Sequence, residues 1–381
     1  MLFFEFLQVA LGQRACLSHT PTEQEWELLY DMADKQAVAG VCFAAIERLY
    51  GQRQVPPQPL LFSWIGAAEA IKQRNELLNK QCRKLQTKLK EAGIRSSILK
   101  GQAVAKYYGH TDSTDDTEDD GEQQSSTDKL ALYRQPGDID VYVDCGSERA
   151  MQFAREQGVG VVEWDYKHLH LDVFKDTEVE VHYRVEVMLN LWKNRKLQRW
   201  FKEHTEEIFC HTESTNNTEI GGLVAPSTSF NLFYILLHIY RHFLYEGVGM
   251  RQLMDYFFVL RHTDSTDSTE IIKTLKEFGM MRFAQGIMWV MQKVFALEHQ
   301  YMIGEPLESE GRFILEEVMR GGNFGQYDQQ LGKAGGKWRA VRRIIRHNIH
   351  LLAHYPSDVI WAPIWIAWHW VWKKYQIVKM R

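Results

Sequence analysis

Apolar residues recur at helical spacing through the first 93 positions. Thr22-Glu23-Gln24-Glu25 has the spacing of a capping box, and Trp26, Leu29 and Met32 or Ala33 follow on one helical face. Pro56, Pro57 and Pro59 interrupt the pattern. A long helix is then predicted from about Leu61 to Ala92, with Gly93 placed to end it.

The period changes after Gly93. Ile94–Leu99 is short and rich in apolar residues, as a strand would be, and Lys100-Gly101 leads into a short helix over Gln102–Tyr108. Asp138–Asp144 alternates strictly and predicts a strand. A helix over Ser147–Gln157 follows, with Ser147 as its cap and Gly158 as its stop. Three more strand-like runs come next: Val159–Trp164, His168–Phe174 and Val179–Tyr183. From Met188 the helical period returns. Ser229–Arg261 is apolar enough for two packed helices around a turn at Gly247-Val248-Gly249, between polar loops at His211–Thr218 and His262–Thr269. Two tail helices are predicted at Lys337–His354 and Val359–Lys379. The pattern is that of an α+β protein: a small mixed sheet embedded in a larger, mostly helical chain. Its regions are 1–93 (helical), 94–187 (α/β core) and 188–381 (helical).

Composition adds polarity to this outline. The chain has 381 residues, 45% of them hydrophobic, and a net charge of -4. His110–Asp128 carries eight acids and no Lys or Arg, so without it the net charge becomes +4. This Ser/Thr-rich tract has nothing apolar to bury and is expected to be a disordered surface insertion. The stretch 333–381 holds ten Lys or Arg and one acid. Five scattered cysteines, without a Cys-x-x-Cys pair, argue against a disulfide framework or a zinc knuckle and for a reducing compartment. The residues from Met1 to Cys16 include Glu5 and lack a basic start, unlike a signal peptide. No run reaches the roughly 18 apolar residues a spanning helix needs. A cytoplasmic protein is expected.

The chemistry lies in Arg134-Gln135-Pro136-Gly137-Asp138-Ile139-Asp140. Strand positions i and i+2 share a face, so Asp138 and Asp140 present two carboxylates a few ångströms apart. Like charges at that spacing repel unless a cation neutralises them. Hard divalent ions favour such oxygens and keep substrate phosphates in the same shell. Glu178-Val179-Glu180-Val181-His182 alternates likewise, so one of the two glutamates can complete a three-carboxylate cluster if the strands adjoin. Such a cluster suits two-metal phosphoryl or nucleotidyl transfer. Upstream, Lys100-Gly101-Gln102 ends a strand and begins a helix. Gly101 permits close backbone approach, and the helix N-terminus can offer amides to a phosphate.

These elements resemble the nucleotidyltransferase superfamily, which includes DNA polymerase beta and kanamycin nucleotidyltransferase. More narrowly, the chain is similar to an uncharacterised bacterial nucleotidyltransferase family. Its elements here are Leu99-Lys100-Gly101, Arg134 to Asp140, Val179 to Tyr183, and His238, His242, Arg251 and Asp255, over roughly residues 60–380. The resemblance implies a nucleotidyltransferase core that moves a nucleoside monophosphate from an NTP to a hydroxyl acceptor, releasing pyrophosphate, with Mg²⁺ or Mn²⁺. It implies that Asp138 and Asp140 hold metal and that Glu180 is the third carboxylate, as ligand or base. Lys100, Gly101, Gln102 and Arg134 would face the nucleotide. Two features depart from the superfamily pattern. Gly101-Gln102 stands where Gly-Ser or Gly-Gly is usual, and the acidic insertion lengthens the gap from Gly101 to Asp138. The acceptor is expected to be a small molecule or protein rather than nucleic acid, since no base-recognition signature is present.

Other patterns have plainer readings. Arg134 can bind triphosphate or balance nearby carboxylates. His168, His170 and Asp172 alternate on one face, as transition-metal ligands do and as any polar strand face does. His238 and His242, one helical turn apart, read as satisfied buried histidines, and Arg251 and Asp255 as an i,i+4 ion pair. In the tail, Arg339, Arg343, Arg346 and His350 form a basic stripe, and Trp361, Trp365, Trp368 and Trp372 line one helix face. Packing of the Trp stripe on the protein's own core is expected ahead of contact with an anionic membrane surface. Gln102 in the phosphate turn keeps a non-catalytic nucleotide-binding module as the main alternative.

Overall fold

The computed structural model describes residues 1–109, 126–211, 222–263, 267–322 and 350–380. The N-terminal region is four helices: α1 (Leu2–Ala10), α2 (Glu23–Lys35), α3 (Ala39–Leu49) and α4 (Gln58–Glu91). The capping box before α2 forms as expected: the Thr22 hydroxyl accepts from the Glu25 amide and the Glu25 carboxylate from the Thr22 amide. Phe6 sits edge-on to both Trp26 and Trp64, with centroids 5.6 and 5.8 Å away, and so ties α1 to α2 and α4.

Helix α4 joins two apolar cores. Trp64, near its start, belongs to the large core of the helical body, whereas Leu78, Cys82, Leu85 and Leu89 belong to the core beneath the sheet. Their spacing of three and four residues keeps them on one stripe of the helix. The larger core draws on α1–α3 and on helices after residue 187, so both helical regions of the chain contribute to it.

The sheet is built from β1 (Ser96–Ile98), β2 (Ile139–Val143), β3 (Val161–Trp164), β4 (His168–Phe174) and β5 (Thr177–His182), in the order β1-β2-β5-β4-β3. Only β2 and β5 pair in parallel. Ile139, Val141, Leu169, Leu171, Val179 and Val181 point to the core shared with α4 and with α7 (Gly146–Glu156). The intervening residues face the other way, toward the helical body. Alternation thus divides the sheet into one dry face and one polar face.

Between the strands lie α5 (Gln102–Ala105), a 3₁₀ turn at Lys106–Gly109 and α6 (Ser126–Tyr133). The acidic tract falls at 110–125 outside the described residues, but its last three positions, 126–128, begin α6 rather than continuing a loop. Ser147 does not cap α7: the helix begins at Gly146, behind Cys145, with no side-chain cap. Gly146 takes φ +70°, which lets the chain turn one residue earlier than Ser147.

Beyond the sheet come α8 (Leu191–Glu203), α9 (Thr205–Ile208), the short pair β6 (Cys210–His211) and β7 (Val224–Ala225), α10 (Thr228–Tyr245) and α11 (Met250–Arg261). They are followed by α12 (Asp267–Phe278), α13 (Met281–Phe295), α14 (Glu308–Gly321) and α15 (Pro356–Met380). Helix α10 is buried along nearly its whole length and forms the floor opposite the polar sheet face. The tail helix predicted at 337–354 lies almost entirely outside the described residues. On α15, Trp365, Trp368 and Trp372 close around the ring of Tyr166, with centroids 5.5, 4.9 and 5.2 Å away. The Trp stripe therefore packs on the protein itself, at the end of the sheet. No helix among the described residues is long and apolar enough to cross a membrane.

Candidate active site

The polar sheet face closes one side of a pocket of about 490 Å³, with α10 and α11 on the other side. Register decides which carboxylates meet there. In the parallel β2–β5 pair, Asp140 lies directly opposite Glu180. Asp138 precedes β2 by one residue and lines the same pocket. Glu178, two residues before Glu180, is exposed and does not line it. The structure therefore brings together Asp138, Asp140 and Glu180.

Cations and imidazoles surround these carboxylates. The Lys100 ammonium lies 2.8 Å from Asp140 Oδ1. His182 Nε2 stands between two acids, 3.0 Å from Asp140 Oδ1 and 3.1 Å from Glu180 Oε2. From the antiparallel β4, His168 Nδ1 is 3.4 Å and His170 Nε2 is 3.7 Å from Glu180. Asp140, Glu180 and His182 are close enough to ligate one ion, and their two oxygens and one imidazole suit a divalent cation.

Gly101 takes φ +59°, ψ -109°, a conformation that side chains rarely tolerate, and this turn aims Lys100 into the pocket. Lys100 and Gly101 line the pocket, but Gln102 does not. Its side chain is buried against α4 and donates to Asn79 Oδ1 at 2.5 Å. Helix α5 is a single turn, so its N-terminus carries little of the dipole expected from a longer helix.

Arg134 is committed elsewhere. It is 4% exposed and holds Asp255 through two hydrogen bonds of 2.7 Å, while Tyr108 donates to Asp255 Oδ1 at 2.7 Å. Arg134 balances a carboxylate, as one of its two sequence readings has it, and it also lines the pocket. Buried Asp255 takes the bidentate fork of an arginine 121 residues away, and the Asp255 charge also acts on Arg251, four residues before it on the same helix. Arg251 donates to the carbonyls of Gln135 and Pro136, fixing the loop that delivers Asp138.

No sequence pattern marks Lys167, Glu186 and Arg241 as a group. Glu186, 1% exposed, receives Lys167 at 3.4 Å, Arg241 at 3.2 Å and His238 Nδ1 at 3.1 Å. The signal was present as a lone acid in the apolar run Val185-Glu186-Val187-Met188. His242 pairs with Glu246 at 2.8 Å. The two histidines are buried and partnered as expected, but they line the pocket rather than packing far from it.

Environment separates the three acids. Burial raises Asp138, and the charges of Asp140 and Glu180 add to it, reaching about 6. Burial also opposes ionisation of Asp140, but Lys100 and His182 outweigh it and hold the carboxyl well below its usual range. Glu180 is likewise opposed by burial, yet the His182 hydrogen bond brings it to about 2. Burial lowers Lys100, and Asp140 and Glu180 more than restore it.

Two outcomes follow from this balance. Asp138 titrates at about 6 against 3.8 for the free side chain, so its contribution to folded stability is complete below 3.8 and is lost as pH rises through 6. A divalent ion has to displace that proton. Mn²⁺ affinity measured by titration calorimetry should climb with pH up to about 6 and flatten above it, and Asp138→Asn should remove the climb. Lys100→Met leaves Asp140 without its ammonium, and should cost about 3 kcal/mol in urea unfolding. Millimolar Mg²⁺ or Mn²⁺ should recover part of that loss in the variant while moving the wild type less.

No curated protein and no solved structure matches the chain. A family match does exist, in two stretches whose gap falls on the acidic tract, and it ends at residue 296 rather than running through the tail. The Gly turn, the Asp138–Asp140 strand, the Glu180 strand and the His238–Asp255 helices all lie within it. The chain belongs to the uncharacterised nucleotidyltransferase family, whose model matches residues 22–113 and 131–296.

Proposed function

We propose that this protein transfers a nucleoside monophosphate from an NTP to a hydroxyl acceptor. The observation that carries the reading is the convergence of Asp138, Asp140 and Glu180 on one wall of a pocket whose other walls bring Lys167, Arg241 and Arg251. Such a pocket offers ligands for hard cations on one side and counter-charges for phosphates on the other. The donor set fits Mg²⁺ or Mn²⁺: Asp138 and Asp140 would hold it, with Glu180 as third carboxylate. A bound divalent ion supplies charge neutralisation at the phosphates and a lower pKa for the attacking hydroxyl.

In the reaction, the acceptor oxygen bonds to the α-phosphorus, the bond from that phosphorus to the α–β bridging oxygen breaks, and pyrophosphate leaves. The hydroxyl proton departs to Glu180, whose carboxylate lines the pocket in its ionised form. Lys167 and Arg241 hold phosphate oxygens from the pocket wall. Both are anchored on Glu186, so they reach the pocket preorganised. The fixed loop before Asp138, held by Arg251, keeps the first carboxylate in place without side-chain reorganisation. A small molecule or a protein side chain suits a pocket of this volume better than a duplex.

One contact favours a second reading. Lys100 already neutralises Asp140 at 2.8 Å, so an ion has to displace the ammonium, and a site that kept this pair would bind nucleotide without turning it over. The two readings separate in one assay. Each of the four NTPs is incubated with Mg²⁺ or Mn²⁺ and a metabolite or protein extract, and pyrophosphate is measured. Transfer predicts release with at least one NTP, and a drop of about 10³-fold or more in Asp138→Asn/Asp140→Asn. NTP binding by calorimetry with no release from any mixture would establish the binding module instead.

A further inference from the structure

The polar sheet face carries two imidazoles that the transfer reading does not use. His168 and His170 project from β4 on the same side, and β4 pairs with β5 so that His170 lies opposite Glu180. The two rings stand at 78° with centroids 4.6 Å apart, and their Nε2 atoms are 2.9 Å from each other. One ligand atom from each of His168, His170 and Glu180 falls within 4.8 Å of the others.

We propose that His168, His170 and Glu180 form a binding site for a transition-metal ion, Zn²⁺ being the best match. The proposal stands whether or not the pocket transfers nucleotides. Two zinc-bound imidazole nitrogens in tetrahedral geometry lie about 3.3 Å apart, given Zn–N bonds of about 2.0–2.1 Å. The observed 2.9 Å is close to that spacing. A hydrogen bond between two neutral imidazoles accounts for this distance too, but not for the carboxylates on either side. Glu180 Oε1 lies 3.7 Å from His170 Nε2, and Asp165 Oδ2 lies 3.9 Å from His168 Nε2. Asp165 is held in place by the backbone amides of Lys167 and His168, at 2.7 and 2.9 Å. His168 Nδ1 is buried and makes no hydrogen bond, and it faces Glu180 Oε2 at 3.4 Å, the position of a carboxylate that orients a ligating ring.

The ligand chemistry separates this site from its neighbour. Two imidazoles and one carboxylate select borderline ions, whereas Asp138 and Asp140 offer only oxygen and suit Mg²⁺. Glu180 is the shared element, with Oε1 toward His170 and Oε2 toward His182. An ion on the imidazoles therefore fixes the orientation of the third carboxylate of the main site.

The test uses full-length, tag-free protein stripped with chelator and dialysed against Zn²⁺. Bound metal is counted by mass spectrometry, and Co²⁺ absorption in the visible reports the geometry. Thermal melts of every metal-free protein accompany the count. Wild type and Asp138→Asn should each retain about one Zn²⁺ per chain, and Co²⁺ should give the intense bands of a tetrahedral site. His170→Ala should melt like wild type yet bind Zn²⁺ at least about 10-fold more weakly. His168→Gln repeats the test on the second ring. Failure of wild type to retain zinc, equal retention by His170→Ala, or loss in Asp138→Asn alone would each overturn the proposal, the last by placing the ion on the carboxylates.

Discussion

Three carboxylates on one polar face repel one another, and the rest of the site is arranged around that repulsion. Parallel pairing of β2 with β5 sets Asp140 against Glu180, and the loop before β2 adds Asp138. Burying such a group uncompensated costs several kcal/mol. Lys100 and His182 supply the compensation at Asp140, and His182, with Lys100 nearby, at Glu180. Asp138 has the least compensation of the three, which is why its carboxyl is raised while the other two are depressed. The geometry is thus complete but for positive charge at Asp138, the place where a divalent ion and a nucleotide would add it.

A second constraint is how the two cores hold this face rigid. The dry side of the sheet is clamped by α4 and α7, and α4 continues into the large helical core. Around the pocket, every described long-range ion pair that reaches it crosses between elements. Arg134 to Asp255 ties the β2 loop to α11, and Arg241 to Glu186 ties α10 to the chain after β5. Arg251 binds the carbonyls of the β2 loop from α11. These links place the sheet and the helical floor at a fixed separation, as a preorganised site requires.

Much of this was legible from the sequence, and the reasons for the gaps are physical. Alternation marked β2, β4 and β5, and their parity put Asp138, Asp140, Glu178, Glu180 and His182 on one side. Parity alone cannot choose between Glu178 and Glu180, because both share that side; the strand register makes the choice. Arg134 was assigned a partner class but not a partner, since Asp255 lies 121 residues away. The i,i+4 rule relates Arg251 to Asp255 but says nothing of Arg134, which reaches buried Asp255 from outside the helix. The Glu186 cluster was missed because its members come from three separate elements with no common spacing. The 3.6-residue period of the Trp stripe on α15 points to the protein's own packing, and Trp365, Trp368 and Trp372 do pack on Tyr166.

The central claim is that Asp138 and Asp140 share a divalent ion. Anomalous diffraction from crystals grown with Mn²⁺ and a non-hydrolysable NTP analogue tests it most directly. The account predicts a peak about 2.1–2.2 Å from an oxygen of each of the two aspartates, with Lys100 drawn away from Asp140. A map with Lys100 still on Asp140 and no peak between the aspartates, even with nucleotide bound, would contradict it.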